Sequence, residues 1–179
     1  PVTTIINNKS NILLSDNGVG IYGENSNITN TGNITVGNKT GTDYSIGIHA
    51  KDSIVTNTGN IKTGSDGIAF VTDNSILNLN SGNLEVLSGS LVYGKNNSII
   101  NYNLGDKVIT GVNPYVNIEN STLNLLSPTK LSVSDNGVGI FVFGNTGVIT
   151  GDLTLDLNSN ALGIYVKDLG TAFINNSII

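Results

Sequence analysis

The chain has 179 residues, a formal net charge of -5 at pH 7, and no Cys, Met or Trp. Disulfides and thiolate metal sites are therefore excluded, and because all 8 basic residues are Lys, no Arg is present for bidentate binding of phosphates or carboxylates. The acidic balance argues against nucleic acid as a partner, and no run of 18 apolar residues predicts a transmembrane helix.

The predicted elements repeat with a regular period along the chain. A corner of Gly followed by Asn or Asp occurs in steps of 27, 23, 23, 23 and 23 residues, at Gly32, Gly59, Gly82, Gly105, the substitute Pro128-Thr129, and Gly151. A second turn motif, Asn or Asp followed by Ser or Thr, runs in phase with it at Asn25, Asp52, Asn74, Asn97, Asn120 and Asn145. Two turn motifs with one shared period indicate that one small backbone unit is stacked on itself.

The first unit, residues 15–37, contains three short predicted strands. Val19 and Ile21 alternate with small or polar residues in the first strand, Ile28 begins the second, and Ile34 and Val36 form the third. The next unit follows at an offset of 27, and its four extra residues fall in the Gly-rich segment 37–42. We therefore expect that insertion to form a loop outside the strands.

Equivalent strands must pair with one another in neighbouring units, which gives parallel sheets wound into a coil. The sequence thus predicts an all-β fold, a right-handed parallel β-helix of about seven rungs of roughly 23 residues, with three short strands in each. Residues 1–179 are expected to form a single segment excised from a longer chain. The first strands are expected to bury Val19/Ile21, Ile46/Ile48, Ile68/Phe70, Leu91/Tyr93, Pro114/Val116, Val138/Ile140 and Leu162/Ile164, and the fourth unit is expected to bury Val108 in its third strand.

Two columns of side chains are candidate sites. Asp16, Asp43 and Asp66 precede successive first strands, so that stacked carboxylates could bind a hard cation such as calcium. Turns such as Ser15-Asp16-Asn17-Gly18 explain these residues as local backbone acceptors, which is the favoured interpretation, and no metal or cofactor is predicted.

An aromatic column is expected on the outer side of the first strands. Its members are Tyr22, His49, Phe141 and Tyr165, interspersed with Val71, Gly94 and Asn117 and joined at the far end by Tyr115 and Phe143. Exposed aromatic rings contact carbohydrate rings or other proteins, but they also stabilise a ladder by stacking on one another. His49 lacks a nucleophile or a second His at a motif spacing, which favours a ladder residue over a catalytic one.

The repeat text at residues 25–37, NSNITNTGNITVG, and at residues 52–64, DSIVTNTGNIKTG, resembles passenger regions of type V autotransporters, particularly the large fusobacterial adhesins. The resemblance implies a parallel β-helix on the bacterial cell surface, exported and anchored in the outer membrane by a C-terminal β-barrel outside this chain. It also implies adhesion, as a monomer, to proteins or glycans on host cells or other bacteria. No catalytic residue of that family has a counterpart here.

Two functions therefore remain open. The first is a non-catalytic structural and adhesive segment that extends or forms a contact surface. The alternative is a polysaccharide lyase or hydrolase acting on acidic glycans, since enzymes of that class use the same fold with acidic residues along one sheet.

Overall fold

The computed structural model describes residues 3–174, in which all regular secondary structure is β-strand and all pairing between these strands is parallel. Three strands per turn and about seven turns form a β-solenoid, so the predicted parallel β-helix is confirmed, while its right-handed sense stays a prediction. Residues 1–2 and 175–179 of the expected single segment lie outside the described residues. Within residues 3–174 no helix is long and apolar enough to cross a membrane.

The strands of each turn belong to three sheets. Sheet 1 contains β3 (Val19–Glu24), β6 (Ile46–Lys51), β9 (Ile68–Asp73), β12 (Ser90–Lys95), β15 (Pro114–Glu119), β18 (Val138–Phe143) and β21 (Leu162–Val166). Sheet 2 contains β1 (Thr4–Asn8), β4 (Ser26–Asn30), β7 (Ile54–Asn57), β10 (Ile76–Leu79), β13 (Ile99–Tyr102), β16 (Thr122–Leu125), β19 (Val148–Gly151) and β22 (Thr171–Ile174).

Sheet 3 is divided into two parts. The first part contains β2 (Ile12–Leu13), β5 (Asn33–Val36), β8 (Asn60–Ser65) and β11 (Leu84–Leu87), and the second contains β14 (Lys107–Ile109), β17 (Thr129–Val133) and β20 (Leu153–Leu157). No ladder joins β11 to β14, although the flanking rungs of sheets 1 and 2 pair without interruption.

Equivalent aliphatic and aromatic residues pile up inside the coil. In sheet 1 the register aligns Ile21, Ile48, Phe70, Val92, Val116 and Ile140, and all six side chains are buried. Burial of such contiguous apolar columns removes their surface from water and provides the main driving force for folding. The core is therefore one continuous cluster that runs along the solenoid axis.

The strands of sheet 1 depart from strict alternation at their first residues. In β6, Gly47 and Ile48 are consecutive and both buried, whereas Ile46 is only half-buried. A methyl group at Gly47 would lie 2.8 Å from Cγ2 of Ile61, so this position faces sheet 3. Two consecutive inward residues shift the alternation of these strands. The prediction that Val19, Ile46, Pro114, Val138 and Leu162 point inward is therefore wrong: they lie on the outer face, half-buried or exposed.

The period within sheet 1 is 22 residues in one step where the sequence predicts 23. Phe70 pairs with Val92, so Val92 is buried and Tyr93 points outward. The additional residue lies in the following turn, where Asn96 and Asn97 both have positive φ angles of 54° and 66°. Asn tolerates the left-handed region better than most residues, so the turn absorbs the insertion. The predicted burial of Tyr93 is therefore wrong.

Serine and asparagine ladders hold the corners together. The backbone N–H of each Ser donates to the hydroxyl of the Ser one turn further on, over 3.0–3.1 Å, along Ser26, Ser53, Ser75, Ser98 and Ser121. The residue before each of these Ser residues has a positive φ angle, as the predicted Asn-Ser and Asp-Ser turns require. A second ladder of side-chain amides runs through Asn8, Asn30 and Asn57. Buried polar groups at the corners are thereby satisfied.

Candidate functional site: an aromatic groove on sheet 1

The outer face of sheet 1 carries one column of side chains with an aromatic residue at most levels. The register aligns Tyr22, His49, Val71, Tyr93, Asn117, Phe141 and Tyr165. Tyr22 and Tyr165 near the two ends of the column are 53% and 47% exposed. The structure thus places four of the six predicted binding residues, Tyr22, His49, Phe141 and Tyr165, in a single row.

A groove of about 550 Å³ runs along the middle of this face. One wall is the loop of residues 37–45, which is the insertion between the first two units, and it contributes Lys39 and Tyr44. The ammonium group of Lys39 lies 4.2 Å from the centroid of the Tyr44 ring, a cation–π contact that holds the loop against itself. The remaining lining residues are Ile46, His49, Asp66, Ile68, Val71, Gly89, Ser90, Tyr93, Lys95, Asn113, Pro114, Asn117, Phe141 and Phe143.

Aromatic rings pack against one another toward both ends of the groove. Tyr22 and His49 form an edge-to-face pair with ring centroids 5.3 Å apart. Phe141 stacks on Phe143 at 4.7 Å and on Tyr165 at 5.1 Å, with interplanar angles of 22° and 16°. Such geometries are favourable for aromatic pairs and fix the orientation of the rings. The rings therefore present preorganised apolar faces.

Polar groups lie between the two aromatic clusters. The hydroxyl of Tyr93 donates to the Glu119 carboxylate, and burial together with this bond raises the pKa of Tyr93 above its ordinary value. The Asn117 side-chain amide donates to Oγ of Ser90 at 3.0 Å. At the rim, the Asn113 amide donates to Oδ1 of Asp66 at 2.9 Å and to the Ser88 carbonyl at 2.6 Å. The groove thus combines flat apolar surfaces with fixed amide and hydroxyl groups.

A row of alternating charges borders the groove along the ends of the sheet 1 strands. Lys51 pairs with Glu24 at 2.6 Å and Lys95 pairs with Asp73 at 3.1 Å. Burial lowers the pKa of His49 below its ordinary value, and the positive charge of Lys95 lowers it further, against the opposing effect of Asp73. His49 is therefore expected to be neutral at physiological pH, with both an N–H donor and an acceptor nitrogen.

Tyr115 does not belong to this surface, and its predicted outward position is wrong. Its side chain is 5% exposed and lies in the core cluster, at the inward position that Gly139 occupies one turn later. The segment Pro114-Tyr115-Val116 aligns in register with Val138-Gly139-Ile140, so Tyr115 takes the inward position that Gly139, like Gly47, occupies in its own strand. Phe143, by contrast, lines the groove as an outward residue.

Two aromatic lining residues, Tyr93 and Tyr44, were not predicted from the sequence. A constant period of 23 residues predicts that Tyr93 points inward, but the step from Phe70 in β9 to its partner Val92 in β12 is 22 residues. Tyr44 lies in the inserted loop, whose fold over the sheet depends on tertiary contacts. Counting the two positive-φ Asn residues of the following turn as an insertion would have placed Tyr93 correctly.

The predicted column of Asp16, Asp43 and Asp66 is not assembled in the structure. Asp66 is two residues before Ile68, and the register aligns it with Asn17, which is two residues before Val19. Asp16 instead accepts a bond of 2.7 Å from the backbone N–H of Asn38, and Asp66 accepts bonds from Ser88 and Asn113. Among residues 3–174 no three His, Asp or Glu side chains are grouped as metal ligands. Asp16 and Asp66 thus accept hydrogen bonds from residues of other rungs, whereas the competing interpretation predicts bonds from their own turns.

The chemistry available in the groove is recognition by shape, stacking and hydrogen bonding. Aromatic faces fit the apolar faces of sugar rings or side chains, while Asn117, His49 and Lys95 offer polar groups at the margins. Comparison of the chain with protein-family models, curated proteins and solved structures finds no match. The geometry of this groove is therefore the basis for a functional assignment.

Proposed function

We propose that this chain is a structural and adhesive segment of a bacterial cell-surface protein, and that the aromatic groove on sheet 1 is its contact surface. Its partners are proteins or glycans exposed on host cells or on other bacteria. The observation that carries the proposal is the groove itself, in which rings from β6, β12, β18 and the 37–45 loop converge on one surface.

The construction of the groove supports recognition without catalysis. Tyr22 and Tyr165 extend the aromatic row beyond the groove in both directions, so a long partner can be contacted at several levels. Ring stacking among Phe141, Phe143 and Tyr165 restricts their rotamers before binding. A preorganised surface loses less conformational entropy when a partner binds, which favours affinity.

The proposed setting follows from the repeat text, which resembles autotransporter passengers. A β-solenoid with no Cys has no disulfides to form, and its turns can fold progressively from one end. An outer-membrane-anchored rod on the cell surface would use these properties during export. The serine and asparagine ladders would maintain the rod as a rigid spacer.

The test compares binding of the labelled chain to bacterial and epithelial cells with that of a triple variant, Tyr22→Ser, Phe141→Ser and Tyr165→Ser. We expect binding to fall at least about tenfold, because stacked aromatic contacts dominate such interfaces. The matched control changes three exposed apolar residues elsewhere, Leu13, Leu126 and Leu169, to Ser.

Equal binding by the parent and the groove variant would refute the groove as the contact surface. Equal loss in the control variant would show that adhesion depends on general surface hydrophobicity. Release of reducing ends or unsaturated products from acidic polysaccharides by the parent chain would favour the lyase or hydrolase alternative.

A further inference from the structure

The break in sheet 3 opens a second cleft, separate from the aromatic groove. Strands β11 and β14 are consecutive rungs of sheet 3, yet most Cα–Cα distances between the two strands exceed 8 Å. Paired strands in a sheet are about 4.8 Å apart, so this separation approaches the space of one additional strand. Close packing persists at the adjoining corner, where a Cβ on Gly111 would lie 2.9 Å from Cα of Ser88.

Three residues in the consecutive strands β13, β14 and β15 coincide with the break. Lys107 pairs with the buried Leu131 and so occupies a position that is aliphatic in the neighbouring rungs. Tyr115 fills the inward position that Gly47 and Gly139 occupy in other rungs, and Tyr102 fills the position of Leu79 and Leu125. Burial of an unpaired Lys is costly, and Tyr rings at positions of Gly and Leu need more space in the core, so both features favour a displacement of β14 from β11.

The register of β14 with β17 also corrects the predicted core. Val108 was expected to point inward, but it is 72% exposed, while its neighbour Ile109 is buried. Val108 pairs with Ser132 on the outer face, so its neighbours Lys107 and Ile109 point toward the core. The sequence therefore places a charged residue where a strand of this fold requires an apolar one.

The cleft has a volume of about 490 Å³ and a mixed lining. Its apolar surface comes from Leu84, Val86, Leu87 and Val108, of which Leu87 is 61% exposed. Lys107 lines it and forms no ion pair within the described part of the chain, whereas Lys62 on the same wall pairs with Glu85 at 3.2 Å. The Thr63 hydroxyl is buried without a hydrogen-bond partner in residues 3–174.

We propose that this cleft binds an extended peptide that carries an acidic side chain, by strand addition between β11 and β14. The two facing strand edges form no ladder with each other and offer backbone donors and acceptors to an inserted main chain. Alternate side chains of the peptide pack on Leu84 and Val86, and a carboxylate at the inward phase meets the ammonium of Lys107.

The acidic preference follows from the charge that the cleft leaves uncompensated. The one carboxylate among the described residues that line the cleft, Glu85, is already bound to Lys62 and to the amide of Asn83. An incoming carboxylate is thus the group that completes the ion pair, and a charge-assisted hydrogen bond is stronger than a neutral one. A sugar chain would satisfy Lys107 but not the two rows of strand-edge backbone groups.

The experiment measures fluorescence anisotropy of a labelled pentapeptide, Val-Thr-Glu-Thr-Val, whose period of two places Glu beside Lys107. Two comparison peptides carry either Lys in place of Glu or N-methyl groups on the two Thr residues. We expect the Lys peptide to bind about tenfold more weakly or worse, because the ion pair with Lys107 is lost. The N-methylated peptide is expected to lose affinity by a similar factor, because its strand-edge hydrogen bonds are removed.

Matched variants separate this site from general charge effects. Lys107→Glu is expected to reverse the preference, so that the Lys peptide binds better than the Glu peptide, while Lys130→Glu, outside the cleft on β17, leaves the preference unchanged. Circular dichroism confirms that each variant is folded. Hydrogen exchange of residues 84–87 and 107–109 is expected to slow when the peptide binds.

Several results would overturn the proposal. These are no binding up to about 1 mM peptide, equal binding of the N-methylated peptide, an unchanged preference in Lys107→Glu, or protection from exchange at the aromatic groove instead of the cleft. The groove variant Phe141→Ser is expected to bind the peptide normally, so failure at one site is distinguishable from failure at the other.

Discussion

Substitution of a buried ladder amide tests how the rungs are held together. Asn57 is the last residue of β7 and is completely buried. Its side-chain oxygen accepts a bond of 2.7 Å from the Asn30 amide, and its own amide donates to the Gly59 carbonyl at 2.9 Å. Asn57→Ala removes both bonds and leaves the buried Asn30 amide without its strongest acceptor.

The magnitude follows from these contacts. Each lost hydrogen bond is worth about 1 kcal/mol net, and a stranded buried donor adds about 1 kcal/mol or more. We therefore expect Asn57→Ala to lower the free energy of unfolding by about 3 kcal/mol. For a chain of this size that corresponds to a fall in Tm of roughly 6–12 °C.

The assay is urea unfolding followed by circular dichroism, with Asn60→Ala as the matched control. Asn60 makes the same kind of ladder contacts, to Asn33 at 2.9 Å and from the Asn83 backbone at 2.8 Å, but is exposed. Water replaces those bonds, so a loss below about 1 kcal/mol is expected. Equal losses in the two variants would refute the claim that burial makes the inner ladder important.

Three other predictions concern a histidine, a pair of glycines and the core. By NMR, the pKa of His49 should lie below its ordinary value of 6.5, and Lys95→Ala should raise that pKa. Near pH 6.5 the unfolded chain then binds a proton that the folded chain does not, so the free energy of unfolding should fall as the pH drops through this range. An equal fall in a His49→Gln variant would contradict this origin. Gly82→Ala should lower the free energy of unfolding by about 2–4 kcal/mol, since Gly82 has a φ of +109° and an added Cβ would meet the Gly59 carbonyl. Gly41→Ala, at a φ of +64° with open space around it, should lower it by about 1 kcal/mol. Similar losses in the two variants by urea unfolding would contradict the close contact between rungs. Phe70→Ala should cost about 3–5 kcal/mol by the same assay, because the ring is fully buried, and a loss below about 1 kcal/mol would show that the core is not packed at this rung.

The architecture could be predicted from the sequence because its turns are chemically conspicuous. The Asn-Ser and Asp-Ser motifs supply residues that tolerate positive φ, followed by the Ser of the buried ladder, and the Gly corners permit close approach of successive rungs. These requirements recur at every turn, so they appear as a repeat even where the strands vary. Such local chemistry determined the number of strands per turn.

The details of the two sites depended on information that a repeat does not carry. The additional residue of this rung lies after β12, at Asn96-Asn97, so a constant period of 23 misplaces Tyr93 by one position. Two consecutive inward residues in β15 bury Tyr115. The position of Tyr44 depends on the fold of the inserted loop over the sheet. The cleft at β14 was visible as Lys107 in an aliphatic column, but only once the register was known.

The most direct test of the proposed contact surface is hydroxyl-radical footprinting of the chain bound to bacterial or epithelial cells. Because the chain has no Cys, Met or Trp, aromatic side chains are its principal targets for oxidation. Tyr22, Tyr44 and Tyr165 are all exposed in the free chain. Adhesion through the groove predicts that their oxidation rates fall several-fold on binding, while Leu13 and Leu126 on other faces react as before. Unchanged rates at the three tyrosines in cell-bound protein, with protection elsewhere, would contradict the account.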